Sequence, residues 1–272
     1  MVMAAARARA YAGDGASPPL LVGLLPTQPP LALLRLYAPM RLALQRGCAQ
    51  AVDFYTSANF RTHLADIRAQ AFDMLVTAPH LSVIAADLGY LPLFRYKVEL
   101  RPVIVVAKGS GIVNPAQLHN RRILTADTMA ALSLVGEYWL ARDYGLVAGR
   151  DYDLIDATTH GNAIRAVALG DAAAAITGTT PMRQIADAVR DKIAAIECPV
   201  TAPHQSIMVH PRVGAARIAA IRDTLAAFPD SVDGRTFFAA SGFQGLVPLS
   251  VADLQVSRPY TDILLKRIGQ EK

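Results

Sequence analysis

The chain has 272 residues, of which 53% are hydrophobic and 18% are charged, and its formal net charge is +5. This much apolar material fills the core of one large domain or two small ones, so the composition excludes an intrinsically disordered protein. The positive charge is spread along the sequence without a Lys/Arg run, which argues against nucleic acid or an anionic membrane surface as a partner.

The N-terminal segment, residues 1–18, carries an export signal in incomplete form. It contains arginines, small residues and an Ala-Tyr-Ala followed by Gly, which is typical of a cleavage site, but the apolar middle region is absent. We interpret the segment as a signal remnant or a disordered terminus. No stretch approaches the roughly 20 apolar residues that cross a bilayer. The expected location is the periplasm or the cell surface.

Apolar runs of strand length alternate with segments of helical period along the first part of the chain. The predicted strands and their following helices lie at 20–25 and 30–46, at 51–55 and 57–70, and at 73–76 and from about 79. This alternation indicates βαβ units and a mostly parallel sheet, so the fold class is α/β.

Two adjacent strand-like runs at 92–107 indicate that the chain leaves one sheet and enters another. A second series of strands and helices follows, and a late strand at 203–210 precedes a largely helical remainder. We predict two Rossmann-like lobes joined by a two-crossing hinge. Lobe 1 is expected to comprise 19–104 plus 206–272, and lobe 2 to comprise 105–205.

Threonine recurs at every predicted turn from strand to helix. Ligands of open α/β sheets bind at the carboxyl ends of the strands, where helix N-termini favour anions and a hydroxyl adds a neutral donor. Each threonine also has the simpler interpretation of a helix cap, and His80 that of a core histidine. The candidate ligand contacts are Thr27, Tyr55, Thr56, Ser57, Thr77, His80, Thr125, Thr128, Thr158, Thr159, His160 and Thr179. The N–H groups of Gly161 and Asn162 are expected to add donors beside His160.

Three stretches carry a resemblance to a known family. KGSGIVNPAQLHNRRI at 108–123, ATTHGNAIRAVALGDAAAAI at 157–176 and FDMLVTAPHLSVIA at 72–85 resemble, in order and spacing, segments of phosphonate-type periplasmic binding proteins. The resemblance covers roughly 20–260. It implies the type II binding-protein fold and a protein that closes on a phosphonate, phosphate, phosphite or similar oxyanion. The implied partner is an ABC permease or a membrane sensor kinase, and we expect a monomer.

The resemblance also implies roles for individual residues. Thr125 and Thr128 match the hydroxyl-bearing turn that holds the oxyanion, His160 matches the histidine that opens the next helix, and Tyr55 matches an aromatic residue at the cleft rim. Alanines follow Gly170 and Asp171 where many members carry an Asp for a ligand ammonium group. A simple oxyanion is therefore favoured over an aminoalkyl phosphonate.

The main alternative is an enzyme on the same two-lobed fold, similar to those of menaquinone biosynthesis and acting on a small organic acid. The sequence offers no recognisable Ser/His/Asp or Cys/His set and no metal-ligand cluster, so no catalytic residue, cofactor or metal is predicted. A ligand-sensing half of a transcription regulator would need a DNA-binding module that the short N-terminal segment cannot supply. Cys48 and Cys198 are interpreted as core thiols, with a disulfide left open.

Overall fold

The computed structural model describes residues 18–270. Except for Pro18, the segment interpreted as a signal remnant or disordered terminus lies outside the described residues. Among the described residues, no helix is long and apolar enough to cross a membrane.

The elements are numbered in chain order. The strands are β1 (Leu20–Leu24), β2 (Val52–Thr56), β3 (Met74–Thr77), β4 (Leu91–Tyr96), β5 (Glu99–Leu100), β6 (Pro102–Ala107), β7 (Arg122–Thr125), β8 (Asp153–Asp156), β9 (Ala174–Gly178), β10 (Ile193–Glu197), β11 (Ala202–Pro203), β12 (Ser206–Val209) and β13 (Leu246–Pro248). The α-helices are α1 (Pro30–Cys48), α2 (Phe60–Arg68), α3 (Pro79–Asp87), α4 (Ala131–Tyr144), α5 (His160–Leu169), α6 (Thr179–Gln184), α7 (Asp187–Arg190), α8 (Ala215–Ala227), α9 (Val232–Ser241) and α10 (Val251–Gln270).

The chain forms two compact units. The first unit comprises the described residues up to Val98 together with Pro203–Ser257, and the second comprises Glu99–Ala202 together with the residues from Arg258 onward. The first unit has a six-stranded sheet in the order β2-β1-β3-β12-β4-β13, and the second has a five-stranded sheet in the order β8-β7-β9-β6-β10. The predicted α/β class is confirmed.

Four neighbouring strands have the same arrangement in both sheets. The central strand, β1 or β7, pairs in parallel with an edge strand on one side and with a third strand on the other. An antiparallel strand, β12 or β6, then adjoins the third strand. The connection that leaves the central strand and the connection that leaves the third strand run in opposite directions along the sheet. The gap between these two strands is a topological switch point, which is where open α/β sheets bind ligands.

The core of each unit follows from the burial of its sheet. In the first unit, α1 packs Leu33, Tyr37, Met40 and Leu44 against the strands. In the second, β6 is buried on both faces, with Val103 and Val105 in one apolar cluster and Ile104 and Val106 in the other. This alternation is the period of two that a strand imposes on its side chains.

The division differs from the predicted one at the C-terminus. Residues 206–272 were expected in one lobe, but the boundary falls after Ser257 within α10, so the chain passes between the units three times. The physical reason is the set of contacts beyond Pro259. The ring of Tyr260 packs edge-on against Tyr138, with centroids 5.5 Å apart, and Arg267 pairs with Glu137. Cys48 and Cys198 are both free thiols.

Candidate functional site

Two threonines occupy equivalent positions at the ends of the third strands. In each unit the last residue of the central strand pairs with the residue just before this threonine, which is Val76 in β3 and Ile176 in β9. Thr77 and Thr177 are the residues that follow, and both are fully buried. Each hydroxyl therefore lies at the switch point of its own sheet.

Each of these hydroxyls contacts a histidine from the helix that leads into its strand. Thr77 Oγ1 lies 3.0 Å from His63 Nε2, and Thr177 Oγ1 lies 2.9 Å from His160 Nδ1. His63 is the fourth residue of α2, whereas His160 is the first residue of α5. Positions three apart lie on the same face of a helix, so both helices direct a histidine to the equivalent threonine. Sequence reasoning found Thr77 and His160 but missed their partners.

The helix start beside His160 is built by its cap. Thr159 is the N-cap residue, and its hydroxyl accepts the N–H of Asn162 at 3.0 Å. The expected donor at Asn162 is therefore already bonded, and Thr159 has the capping role that was its alternative interpretation. Thr158 is exposed and has a φ of 68°, a left-handed conformation rare for a β-branched residue.

A chain of polar side chains extends from Thr77 in the first unit. His63 Nδ1 lies 3.4 Å from Ser57 Oγ, and the Ser57 hydroxyl donates to Asp66 Oδ2 at 2.7 Å. Burial lowers the pKa of His63 to about 4, so its imidazole is neutral at neutral pH. The sequence offered no recognisable Ser/His/Asp set, and the three residues that folding brings together here place the carboxylate on Ser57 and not on His63. The signal in the sequence was the His63 and Asp66 pair at i, i+3 spacing.

Ser206 lies directly across the sheet from Thr77. It is the first residue of β12 and pairs with Thr77 in the antiparallel ladder. Its side chain is buried, and its Oγ has no hydrogen-bond partner among the described residues. Sequence reasoning missed Ser206 because it read only the strand-to-helix turns.

The other candidates of the first unit are more dispersed. Thr27 is exposed in the loop after β1, and His80 is fully buried in the first turn of α3. The ring of Tyr55 packs against Phe72, with centroids 5.8 Å apart. Thr56 ends β2, and its Oγ1 is buried without a hydrogen-bond partner in the described part of the chain. Only Ser57 and Thr77 join the chain of side chains that contains His63.

In the second unit, the turn between β7 and α4 has most of its polar groups already bonded. The Thr125 hydroxyl bonds to Ser133, whose own hydroxyl donates to the Asp127 carbonyl at 2.7 Å. The N–H of Thr128 donates to Asp156 Oδ1 at 2.6 Å, and its carbonyl accepts from Arg267. Thr125 is thus a buried structural hydroxyl, and the backbone donor at Thr128 is used by a carboxylate.

His160 keeps one ring nitrogen available. Its Nδ1 contacts Thr177, while its Nε2 has no hydrogen-bond partner among residues 18–270. Burial lowers the pKa of His160 to about 4, which makes the ring a neutral donor or acceptor at neutral pH. Thr179 starts α6, and its N–H donates to the Arg101 carbonyl at 3.2 Å. The described residues contain no group of three or more His, Cys, Asp or Glu arranged to hold a metal ion.

The sequence of one protein family matches most of the chain. The family is described as the periplasmic substrate-binding protein of the phosphonate ABC transporter, and the match covers residues 22–254. The chain belongs to this family. The predicted resemblance is thereby confirmed, and so is the interpretation as a solute-binding protein of the ABC-transporter type. No curated protein matches the chain by sequence.

Solved structures support the fold at low sequence identity. XAC2383 from Xanthomonas citri, bound to chloride ion, has a TM-score of 0.78 at 13% identity, covering 91% of this chain and 99% of its own. PhnD1 from Prochlorococcus marinus, in complex with methylphosphonate, has a TM-score of 0.76 at 14% identity, covering 91% and 98%. The sulphonate-binding protein SsuA from Escherichia coli has a TM-score of 0.63 at 14% identity, covering 92% and 93%. These similarities confirm the predicted type II fold.

Proposed function

We propose that this chain is a periplasmic receptor that binds a small tetrahedral phosphorus oxyanion, such as an alkylphosphonate, phosphite or phosphate, and passes it to an ABC permease. The observation that carries the proposal is Ser206 Oγ, which is buried opposite Thr77 and has no hydrogen-bond partner among the described residues. A buried polar atom of this kind is costly unless a ligand or water satisfies it.

Neutral donors suit such a ligand. The anion brings its own charge, and neutral hydroxyl and imidazole groups hold it without the desolvation cost of a buried lysine or arginine. His160 stays neutral because burial lowers its pKa to about 4. We take Ser206 and His160 as the proposed donors, and Thr77 and Thr177, whose hydroxyls bond to histidines, as the contacts beside them.

The remaining candidates divide by whether their groups are already bonded. Ser57, Thr125 and Thr159 are assigned structural roles, since their hydroxyls are used within their own units. The candidates kept as secondary contacts are Thr27, Tyr55, Thr56, His80, Thr128, Thr158 and Thr179.

The ligand class is supported by proteins of the same fold. PhnD1 is in complex with methylphosphonate, and SsuA is a binding protein for aliphatic sulphonates. Both ligands present a tetrahedral oxyanion. A membrane sensor kinase stays the alternative partner, as the family resemblance implies.

A ligand screen tests this function. Thermal unfolding is recorded with methylphosphonate, phosphite, phosphate, sulfate, methanesulfonate and small carboxylates, because a ligand that binds only the folded state raises the melting temperature. We expect a phosphorus oxyanion to give the largest shift, and calorimetry to give one site per chain. Shifts with carboxylates alone would contradict the proposed ligand class and favour the enzyme alternative.

A further inference from the structure

The side chains that support Thr77 fix the direction of every hydrogen bond between them. A carboxylate accepts hydrogen bonds, so the Ser57 hydroxyl donates its only hydrogen to Asp66 at 2.7 Å. The Ser57 oxygen is then left with lone pairs toward His63 Nδ1, 3.4 Å away. Nδ1 must therefore carry the hydrogen of the imidazole.

The same constraint passes through His63 to Thr77. A neutral imidazole has one donor nitrogen and one acceptor nitrogen, and burial keeps this ring neutral. With the hydrogen on Nδ1, Nε2 is the acceptor, and the Thr77 hydroxyl donates to it at 3.0 Å. Thr77 Oγ1 thus has only lone pairs left for any further partner.

The surroundings of Thr77 are buried, so the direction of its hydrogen bond affects which ligand oxygen it can bind. Thr77 is fully buried, and Ser206, its neighbour across the sheet, is 1% exposed with a partnerless Oγ. Ser206 can rotate its hydroxyl to donate or to accept, whereas Thr77 can only accept. A ligand oxygen placed against Thr77 without a hydrogen would face lone pairs in a site that excludes water, which disfavours binding.

We propose that the Asp66–Ser57–His63–Thr77 chain makes the first unit select a protonated ligand oxygen. The inference rests on the proposed function and narrows its ligand class to anions that retain an acidic hydrogen, such as a hydrogen phosphonate, rather than sulfonates.

Two anions of equal charge and similar shape test the proposal. The methylphosphonate monoanion has one P–OH group where methanesulfonate has a bare oxygen. Their dissociation constants are measured by calorimetry at a pH where the phosphonate is singly charged. We expect the parent chain to bind methylphosphonate roughly 10–100-fold more tightly, the range for one mismatched buried hydrogen bond.

Substitutions in the chain test its cause. Asp66→Asn supplies an amide that can donate to Ser57 and so lets all three hydrogen bonds reverse, and Ser57→Ala removes the link altogether. Both variants are expected to reduce the preference for methylphosphonate to within a few-fold, because Thr77 regains a hydrogen to donate. Asp223→Asn, an exposed carboxylate on α8, is the matched control and should keep the parent preference. Melting temperatures establish that the variants fold.

The outcomes separate this inference from the function beneath it. Equal affinity of the parent for both anions overturns the inference and leaves the binding function standing. The inference is also overturned if Asp66→Asn and Ser57→Ala each lose affinity for the two anions equally, so that the preference for methylphosphonate is unchanged. No binding of any phosphorus oxyanion by the folded parent contradicts the proposed function itself.

Discussion

Thr77 and Thr177 occupy the same position in their respective sheets, and each hydroxyl contacts a histidine of the preceding helix. The two contacts use different ring nitrogens and different helix positions, because the histidine is fourth in α2 and first in α5. The same threonine–histidine arrangement thus occurs in both units, although the sequence has no internal repeat.

The first prediction concerns the free nitrogen of His160. His160→Ala removes the proposed Nε2 donor, and the loss of one buried hydrogen bond to an anion is expected to cost about 1–3 kcal/mol of binding free energy. Calorimetry with methylphosphonate measures it. His119→Ala is the control, since His119 is exposed after a 3₁₀ turn of the same unit. Equal affinities in the two variants would remove His160 from the site.

The second prediction is that stability falls in mild acid. Burial lowers the pKa of His63 and of His204 to about 4, against about 6.5 in the unfolded chain. Between these values the unfolded state binds more protons, so the stabilisation is complete above about pH 6.5 and is lost as the pH falls toward 4. His63 is fully buried and His204 is half-buried, and each contributes on the order of 2 kcal/mol between pH 7 and pH 5.

Urea denaturation at pH 7, 6 and 5 measures this dependence. The parent should unfold at progressively lower urea concentration, and His63→Gln should show a smaller change with pH. A midpoint that stays constant from pH 7 to pH 5 would contradict the neutral, buried state of these rings.

The third prediction concerns close packing between α4 and β9. A Cβ added at Gly136 would lie 2.6 Å from Ile176 Cγ2, so Gly136→Ala forces side chains or backbone to shift and should destabilise the protein by about 1–3 kcal/mol. Gly161→Ala is the matched control, because its nearest neighbour is the flexible Arg165 guanidinium at 3.4 Å. Urea denaturation measures the stability of both variants. Equal stabilities would contradict the packing argument.

The fourth prediction concerns the buried ion pair of the second unit. Arg267→Met leaves Glu137 buried without its cation and is expected to cost about 3–5 kcal/mol. Adding Glu137→Leu removes the stranded carboxylate and should recover most of this loss. Urea denaturation of the single and double variants tests the coupling. Additive losses would show that the two side chains act independently.

The strands of both sheets were predictable from the sequence. The runs at 20–25, 51–55 and 73–76 became β1, β2 and β3, because apolar residues such as those of β1 and β3 fill a sheet that helices cover, and Val52 is the buried residue of the edge strand β2. The end of α10 was not predictable. Its periodicity marks a helix, but only tertiary contacts such as that of Tyr260 with Tyr138 decide which unit it packs on.

The candidate site was predictable in part. A threonine at the end of β3 was expected, but its partner is His63, one helix earlier in the chain, and not the nearby His80. Thr179 was predicted instead of Thr177, which the structure places inside β9 with its hydroxyl against His160. Contacts between side chains of different elements depend on register, and one sequence does not give the register.

Calorimetry of Thr77→Val, Thr177→Val and the double variant with methylphosphonate tests the central claim most directly. The claim is that both buried threonines belong to the ligand site. Each single variant is expected to bind about 10–100-fold more weakly than the parent, and the double variant is expected to show no measurable binding while its thermal unfolding stays cooperative. Affinities in all three folded variants equal to that of the parent would contradict the account and leave the threonine–histidine pairs with a structural role only.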